Sequence, residues 1–327
     1  MKHVIRGGLF VALLLLITQG CAPVRYVDDQ VTGNLYLNQN RYQEGVRDFQ
    51  ARVGEMPGSH LRNYYLGRYL LALKRPEEAL GYLREAVRLS PDTADYHYWL
   101  GVAYWALDDP ANERLCYQNA ISLDKDHLPA RVYLGHNLLD SGDAHGALLQ
   151  YEYVLGKDPY HPEALFNRAK ALSLLGRKSQ EISAWKQYLT YYPDGSLARD
   201  AALNLNKQGN FSYRTQIIGI RRMVLDWIAF EPGTAILDDD AFPSLNAVGS
   251  VLESSRDFRL AVNAFVNGDQ VLARQRAETV RQYILDHYAV APDRIEVQAQ
   301  GRAERIRVAD KTFSLNESIV LQTIAWF

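Results

Sequence analysis

Residues 60–93 read HLRNYYLGRYLLALKRPEEALGYLREAVRLSPDT, and residues 94–127 read ADYHYWLGVAYWALDDPANERLCYQNAISLDKDH. Leu66-Gly67 in the first stretch falls on Leu100-Gly101 in the second, and Leu134-Gly135 follows at the same offset of 34 residues. Ala79 and Ala147, Leu83, Tyr117 and Tyr151, Ala86 and Ala120, and Pro91 and Pro159 keep the same phase. The phase extends upstream to Gly33, Tyr36, Phe49 and Pro57, and downstream to Ala169, Leu172, Trp185 and Pro193. Small residues at fixed places between apolar ones let two antiparallel helices approach closely, and a proline at each junction opens the next pair. One such pair cannot bury its apolar side alone, so stacked pairs must share a core.

This pattern resembles the tetratricopeptide repeat. It divides the chain into five units, 26–59, 60–93, 94–127, 128–161 and 162–195, with 196–207 as a capping helix that carries Leu197, Ala201, Ala202 and Leu205 on one side. The array as a whole occupies 26–209. The resemblance implies an α-solenoid that binds a protein segment along its first helices, at the second, fifth, ninth and twelfth positions of each repeat. Those positions hold Asn34, Tyr64, Arg68, Tyr98, Val102, Trp105, Val132, His136, Phe166 and Lys170. Aromatic and arginine side chains carry most interface energy, so a partner groove is expected around Tyr64, Tyr98 and Trp105. Aromatics at helical spacing also build cores, and that plainer role stays open for each of them. The version of the family that clamps a C-terminal carboxylate does not fit, because the fifth positions lack its lysines.

Upstream, residues 1–20 read as a lipoprotein signal peptide, with Lys2 and Arg6 before an apolar run from Leu9 to Ile17. A bilayer span needs roughly 20 apolar residues, so this run suits a secretory leader and not a membrane helix. Thr18-Gln19-Gly20-Cys21 resembles a bacterial lipobox, which implies acylation of Cys21, palmitate included, and, with Ala22 following, a place on the periplasmic face of the outer membrane. The chain has two cysteines, so lipid on Cys21 leaves Cys116 alone, and its apolar neighbours make it a core residue. A formal charge of −2 and a pI near 6.5 provide no broad field for nucleic acid.

After Gln208–Tyr213 the 34-residue period stops and a mixed pattern begins. It reads as a strand near Trp227–Phe230, a helix over 241–252, a half-buried strand from Phe258 to Val266, a helix capped by Asp269, and strands at 294–299 and 318–326. The expected class is therefore α followed by α/β: a repeat solenoid, then a βαβαββ domain over 214–327 with helices on one face of a sheet. FEPGTAIL (230–237), LARQRAETVRQYIL (272–285) and DRIEVQAQG (293–301) resemble the OmpA C-terminal domain, a periplasmic module that binds the diaminopimelate stem of peptidoglycan. Phe230, Leu237, Leu272 and Arg276-Ala277 carry the match. The resemblance places Arg276 on the family's carboxylate-gripping arginine and Asn267 on its ammonium-binding aspartate, while Asp269 would replace the lost carboxylate only if a shortened loop redirects it. Asn316-Glu317-Ser318-Ile319 stands where the family has a basic edge.

No nucleophile elbow, phosphate loop or dinucleotide fingerprint occurs, and the histidines lack metal-ligand spacing, so neither enzyme chemistry, cofactor nor metal is expected. Asp238-Asp239-Asp240 suits a solvated run near a helix start. The expectation is a lipid-anchored periplasmic scaffold that docks a protein of an envelope complex. The competing reading is a peptidoglycan tether through Arg276.

Overall fold

The computed structural model describes residues 22–325, and residues 1–21 and 326–327, on which the expected leader, Cys21 and Phe327 fall, lie outside that range. The chain divides into two compact units at Gln150 and Tyr151. Among the described residues eleven helices come first: α1 (Ala22–Asn38), α2 (Tyr42–Glu55), α3 (His60–Ala72), α4 (Pro76–Leu89), α5 (Ala94–Ala106), α6 (Pro110–Leu123), α7 (Leu128–Asp140), α8 (Ala144–Lys157), α9 (Pro162–Leu174), α10 (Lys178–Tyr191) and α11 (Gly195–Lys207). Helices α1 to α7 belong to the first unit, and α9 to α11 belong to the second, together with all of the chain from Gln208 onward.

The repeat period reappears in the backbone. Asn40, Lys74, Asp108, Gly142 and Gly176 all adopt positive φ, between 55° and 86°, at the turn joining the two helices of each repeat. This is the left-handed conformation that closes a helix and lets the chain reverse. Proline at the first helical turn of α4, α6, α7 and α9 suits the next start, where no amide hydrogen is needed. Glycine at the helix contact is a requirement of space: a Cβ on Gly101 would lie 2.4 Å from the fully buried ring of Tyr117. In the first unit the core runs through Phe49, Leu66, Tyr69, Leu70 and Leu83. Cys116 is buried, and burial pushes its thiol pKa up to about 12, so it behaves as a packed apolar side chain.

In the second unit, helix α11 is tied to the first strand beyond it by Asn206, whose amide donates to the carbonyls of Asn210 and Tyr213 at 3.0 and 2.8 Å. Strands β1 (Tyr213–Ile218) and β2 (Arg221–Asp226) form a hairpin. Helix α12 (Phe242–Ser254) leads to β3 (Phe258–Val266), α13 (Gln270–His287), β4 (Ile295–Gln300), a second hairpin β5 (Glu304–Val308) and β6 (Lys311–Leu315), and finally β7 (Glu317–Ala325). Strand β3 is central in the order β4-β3-β7, parallel to β4 with Leu260 opposite Ile295, and antiparallel to β7 with Val266 opposite Glu317. Leu245, Val248 and Leu252 of α12 and Ala273, Ala277, Val280 and Ile284 of α13 share a core with Leu260, Val262 and Ala264.

Three local expectations change. Residues 227–230 form no strand; only an isolated bridge pairs Phe230 with Leu237. Both hairpins are additions, and their turns explain why they were hidden: Ile218-Gly219-Ile220-Arg221 and Ala309 in the left-handed region lack the Asn-Gly or Asp-Gly signal of a two-residue turn. Finally, β3 is buried on both faces, since Ala261 and Asn263 are short side chains in a central strand, flanked by Glu296 and Gln322, and by Gln298 and Val320.

Candidate functional sites

The repeat positions expected to form a groove separate by burial. In the fifth position Tyr64, Tyr98, Val132 and Phe166 are all buried, so this position faces the core between helices. In the ninth position Asn34 and Lys170 are exposed, while Arg68, Val102 and His136 are half-buried. Trp105, at a twelfth position, is 58% exposed. The partner-groove expectation for Tyr64 and Tyr98 is therefore corrected, since their rings are spent on packing; Phe166, though buried, still borders a cleft of the second unit, and the accessible side chains among these positions lie at the ninth and twelfth.

That face of the first unit has an organised floor. Arg68 stacks over the Trp99 ring at 4.2 Å and donates to the Tyr64 hydroxyl at 3.0 Å, and Tyr64 in turn donates to Asp95. His127 caps α7, its Nδ1 accepting from the Ala130 amide at 3.1 Å, so the Nε2 proton points to Asp95 at 3.4 Å. Burial alone would raise the Asp95 carboxyl; hydrogen bonds from His127 and Tyr64 and the Arg68 charge outweigh it and hold the group below the usual carboxylate range. Beside this relay, Tyr133 meets Tyr98, Trp105 and His136 at centroid distances of 5.7, 6.5 and 5.6 Å. Trp99 and Tyr133 occupy sixth positions of their repeats, outside the four positions that the family geometry assigns to the groove. Asp95 sits at a second position, and its sequence context carries no signal of the relay.

In the second unit, Phe166 and Lys170 of α9 line a cleft of about 430 Å³ with Leu197, Asp200, Leu203, Asn204 and Lys207 of α11. Leu197 and Leu203, each a little under half exposed, give it an apolar wall, and two lysines flank it. The capping helix thus supplies most of the lining.

A different site lies at the end of β3. Arg276 enters from α13 and is buried. Its Nε donates to the Thr234 carbonyl at 2.7 Å and its Nη1 to Glu317 Oε2 at 2.7 Å, with the Phe230 ring 4.8 Å from the guanidinium. The pairing of Val266 with Glu317 in the sheet carries that carboxylate to the arginine. Arg276 and Glu317 border a cavity of about 70 Å³ walled by Trp227, Phe230 and Ile319. Asn267 and Asp269 do not line it. Asn267 is exposed and its amide donates to the Asn316 carbonyl at 2.7 Å, while Asp269 caps α13 by accepting from the Leu272 amide at 2.8 Å. Asp269 is a helix cap, and the loop does not redirect it. Among the described residues no group of three His, Cys, Asp or Glu could hold a metal ion, and no helix is long and apolar enough to cross a membrane.

Comparison with known proteins agrees with both halves of this geometry. A tetratricopeptide-repeat model matches residues 31–92, 64–126 and 134–196, and an OmpA-family model matches residues 229–314. The chain joins tetratricopeptide repeats to an OmpA-family domain. The OmpA-family match ends before β7, the strand that supplies Glu317. Over 143 residues the chain is 29% identical to the tetratricopeptide repeat-containing protein trd-1 of Caenorhabditis elegans, covering 44% of this chain and 18% of that one. Over 120 residues it is 34% identical to the BBSome complex member BBS4 of Xenopus tropicalis, covering 37% and 23%. The chain thus spans about a fifth of the length of these curated relatives. The solved structure of Pseudomonas aeruginosa pilF superposes with a TM-score of 0.53 at 14% identity, over 58% of this chain and 86% of that one, a likeness of fold.

Proposed function

We propose that this protein is a non-catalytic scaffold of the bacterial envelope, held at the outer membrane by lipid on Cys21, that docks a protein partner on the first-helix face of its repeats. The observation that carries the docking half is Trp105, a large ring 58% exposed and backed by Tyr133. An exposed aromatic on a rigid helix loses little conformational freedom on binding and is the residue type that most often anchors an interface. Arg68 and His136 extend the face, and Lys170 marks the corresponding place in the second unit.

A photoreactive residue at position 105 should give one discrete crosslinked species in cells, and Trp105→Ala should weaken the isolated complex by roughly 30-fold, the scale of an interface hot spot. An unchanged affinity in Trp105→Ala would move the docking face elsewhere. Cys21→Ser is expected to release the protein from membranes, and unchanged fractionation would remove the anchor from the account.

One observation favours a second role, a peptidoglycan tether: Arg276 is a buried arginine beside a cavity in an OmpA-family domain. Sedimentation of the full chain with purified sacculi, lost in Arg276→Gln, is the result that supports it.

A further inference from the structure

Arg276 is only partly satisfied. Nε and Nη1 are each engaged at 2.7 Å, but Nη2 is shut away from solvent with no hydrogen-bond partner. A guanidinium presents its donors as a planar fork that a carboxylate meets with two oxygens in parallel, and an unmet charged donor in a dry site is costly. Glu317 does not supply that geometry. It reaches Arg276 through Oε2 alone, and its side chain is 52% exposed whereas that of Arg276 is 4% exposed. The pair therefore joins a fixed, desolvated cation to a carboxylate standing at the rim, free to turn into water. The cavity beside them, about 70 Å³, has room for little more than water while Glu317 is in place.

We propose that Glu317 is a displaceable internal ligand of Arg276. In the resting chain it closes the site to carboxylates from outside. A small ligand that offers a carboxylate to both terminal nitrogens of Arg276 binds by pushing the Glu317 side chain into solvent, and satisfies the donor that Glu317 leaves unmet. Glu317 thus sets which ligands the site takes: a monodentate or bulky group does not repay its displacement. This inference rests on the tether reading for the ligand's chemistry and adds the residue that holds the site shut.

The test uses the full chain and soluble meso-diaminopimelate as the probe, followed through the ¹⁵N–¹H signal of the Arg276 Nε, with sedimentation on purified sacculi alongside. Removing an internal competitor that occupies the site about nine-tenths of the time tightens the apparent affinity by about tenfold. Glu317→Gln and Glu317→Ala, the first keeping the shape and the second clearing the rim, are both expected to show that gain. Arg276→Gln should erase it in either background. Folded variants that bind the probe no more tightly than the unaltered chain overturn the proposal. If the probe binds Glu317→Gln through Arg276 but sacculi retain no form of the protein, the internal ligand stands and the tether falls. If sacculi retain the unaltered chain and Glu317→Gln equally, in both cases through Arg276, the tether stands and the internal ligand falls.

Discussion

The two ends of β3 each hold a buried arginine, and they use it differently. At the Phe258 end, Arg294 donates from Nε, Nη1 and Nη2 to the carbonyls of Phe258, Leu252 and Ser255 at distances from 2.7 to 3.2 Å. It closes the last turn of α12 and the start of β3 with one side chain. At the Val266 end, Arg276 has one backbone carbonyl, one rim carboxylate and one empty donor. Burial is common to both arginines; the completeness of their hydrogen bonding is what separates them, and the proposal for Arg276 rests on that difference together with the adjoining cavity.

Breaking the structural end should cost most. Arg294→Gln leaves several buried carbonyls short of donors, so a loss of about 3 kcal/mol in urea unfolding is expected. A loss under about 1 kcal/mol would erase the contrast between the two ends. Next comes Phe230→Ala, which removes the ring beneath Arg276 and part of the wall of the cavity. A half-buried aromatic of this kind is worth about 2 kcal/mol, and the same variant should broaden the Arg276 side-chain signals. Glu317→Gln should change stability by less than about 0.5 kcal/mol, because an exposed partner contributes little to an ion pair. A large loss there would make Glu317 structural.

How much of this contrast could be read from residues alone differs between the halves. The repeat array was legible because its packing repeats: Gly67 and Gly101 recur where a Cβ would strike Leu83 and Tyr117, and that steric demand appears in the sequence as a period. Which side of each first helix faces outward was less legible, since the fifth and sixth positions differ only by a helical rotation, and Tyr98 and Tyr133 turn out to pack on one another. In the OmpA-family domain, Arg276 was visible through its motif. Glu317 was visible too, as an acidic residue on an edge expected to be basic. Their pairing, across 41 residues, was not, because it depends on the sheet register that sets Glu317 opposite Val266. The second hairpin escaped for a local reason, a left-handed turn at Ala309 where glycine or asparagine would have announced it, and the first because Gly219 is followed by Ile220 and not by a turn-forming residue.

The smallest expected effect concerns Asp226, which lines a cleft of the second unit with Tyr213 and Trp227. Burial pushes its carboxyl above the usual carboxylate range, outweighing the hydrogen bonds from the Trp227 amide and Tyr213 and the Lys186 charge, while the Asp240 charge adds slightly to the rise. A raised value in the folded state means that the contribution to stability is complete below the unfolded value, near 4, and is lost as pH rises through the folded value. Asp226→Asn should therefore be slightly more stable than the unaltered chain at neutral pH, with the difference vanishing near pH 4. A difference that grows on acidification would reverse the sign of this account.

The central claim is that Arg276 is held for a ligand and only lightly engaged by its own chain, and a double-mutant cycle on stability tests it most directly. With Arg276→Gln, Glu317→Gln and the pair measured in urea, the coupling energy isolates the 2.7 Å contact from everything else the two side chains do. The account expects a coupling below about 1 kcal/mol, as for an ion pair with one exposed partner. A coupling of about 3 kcal/mol or more would show a locked structural pair and contradict it.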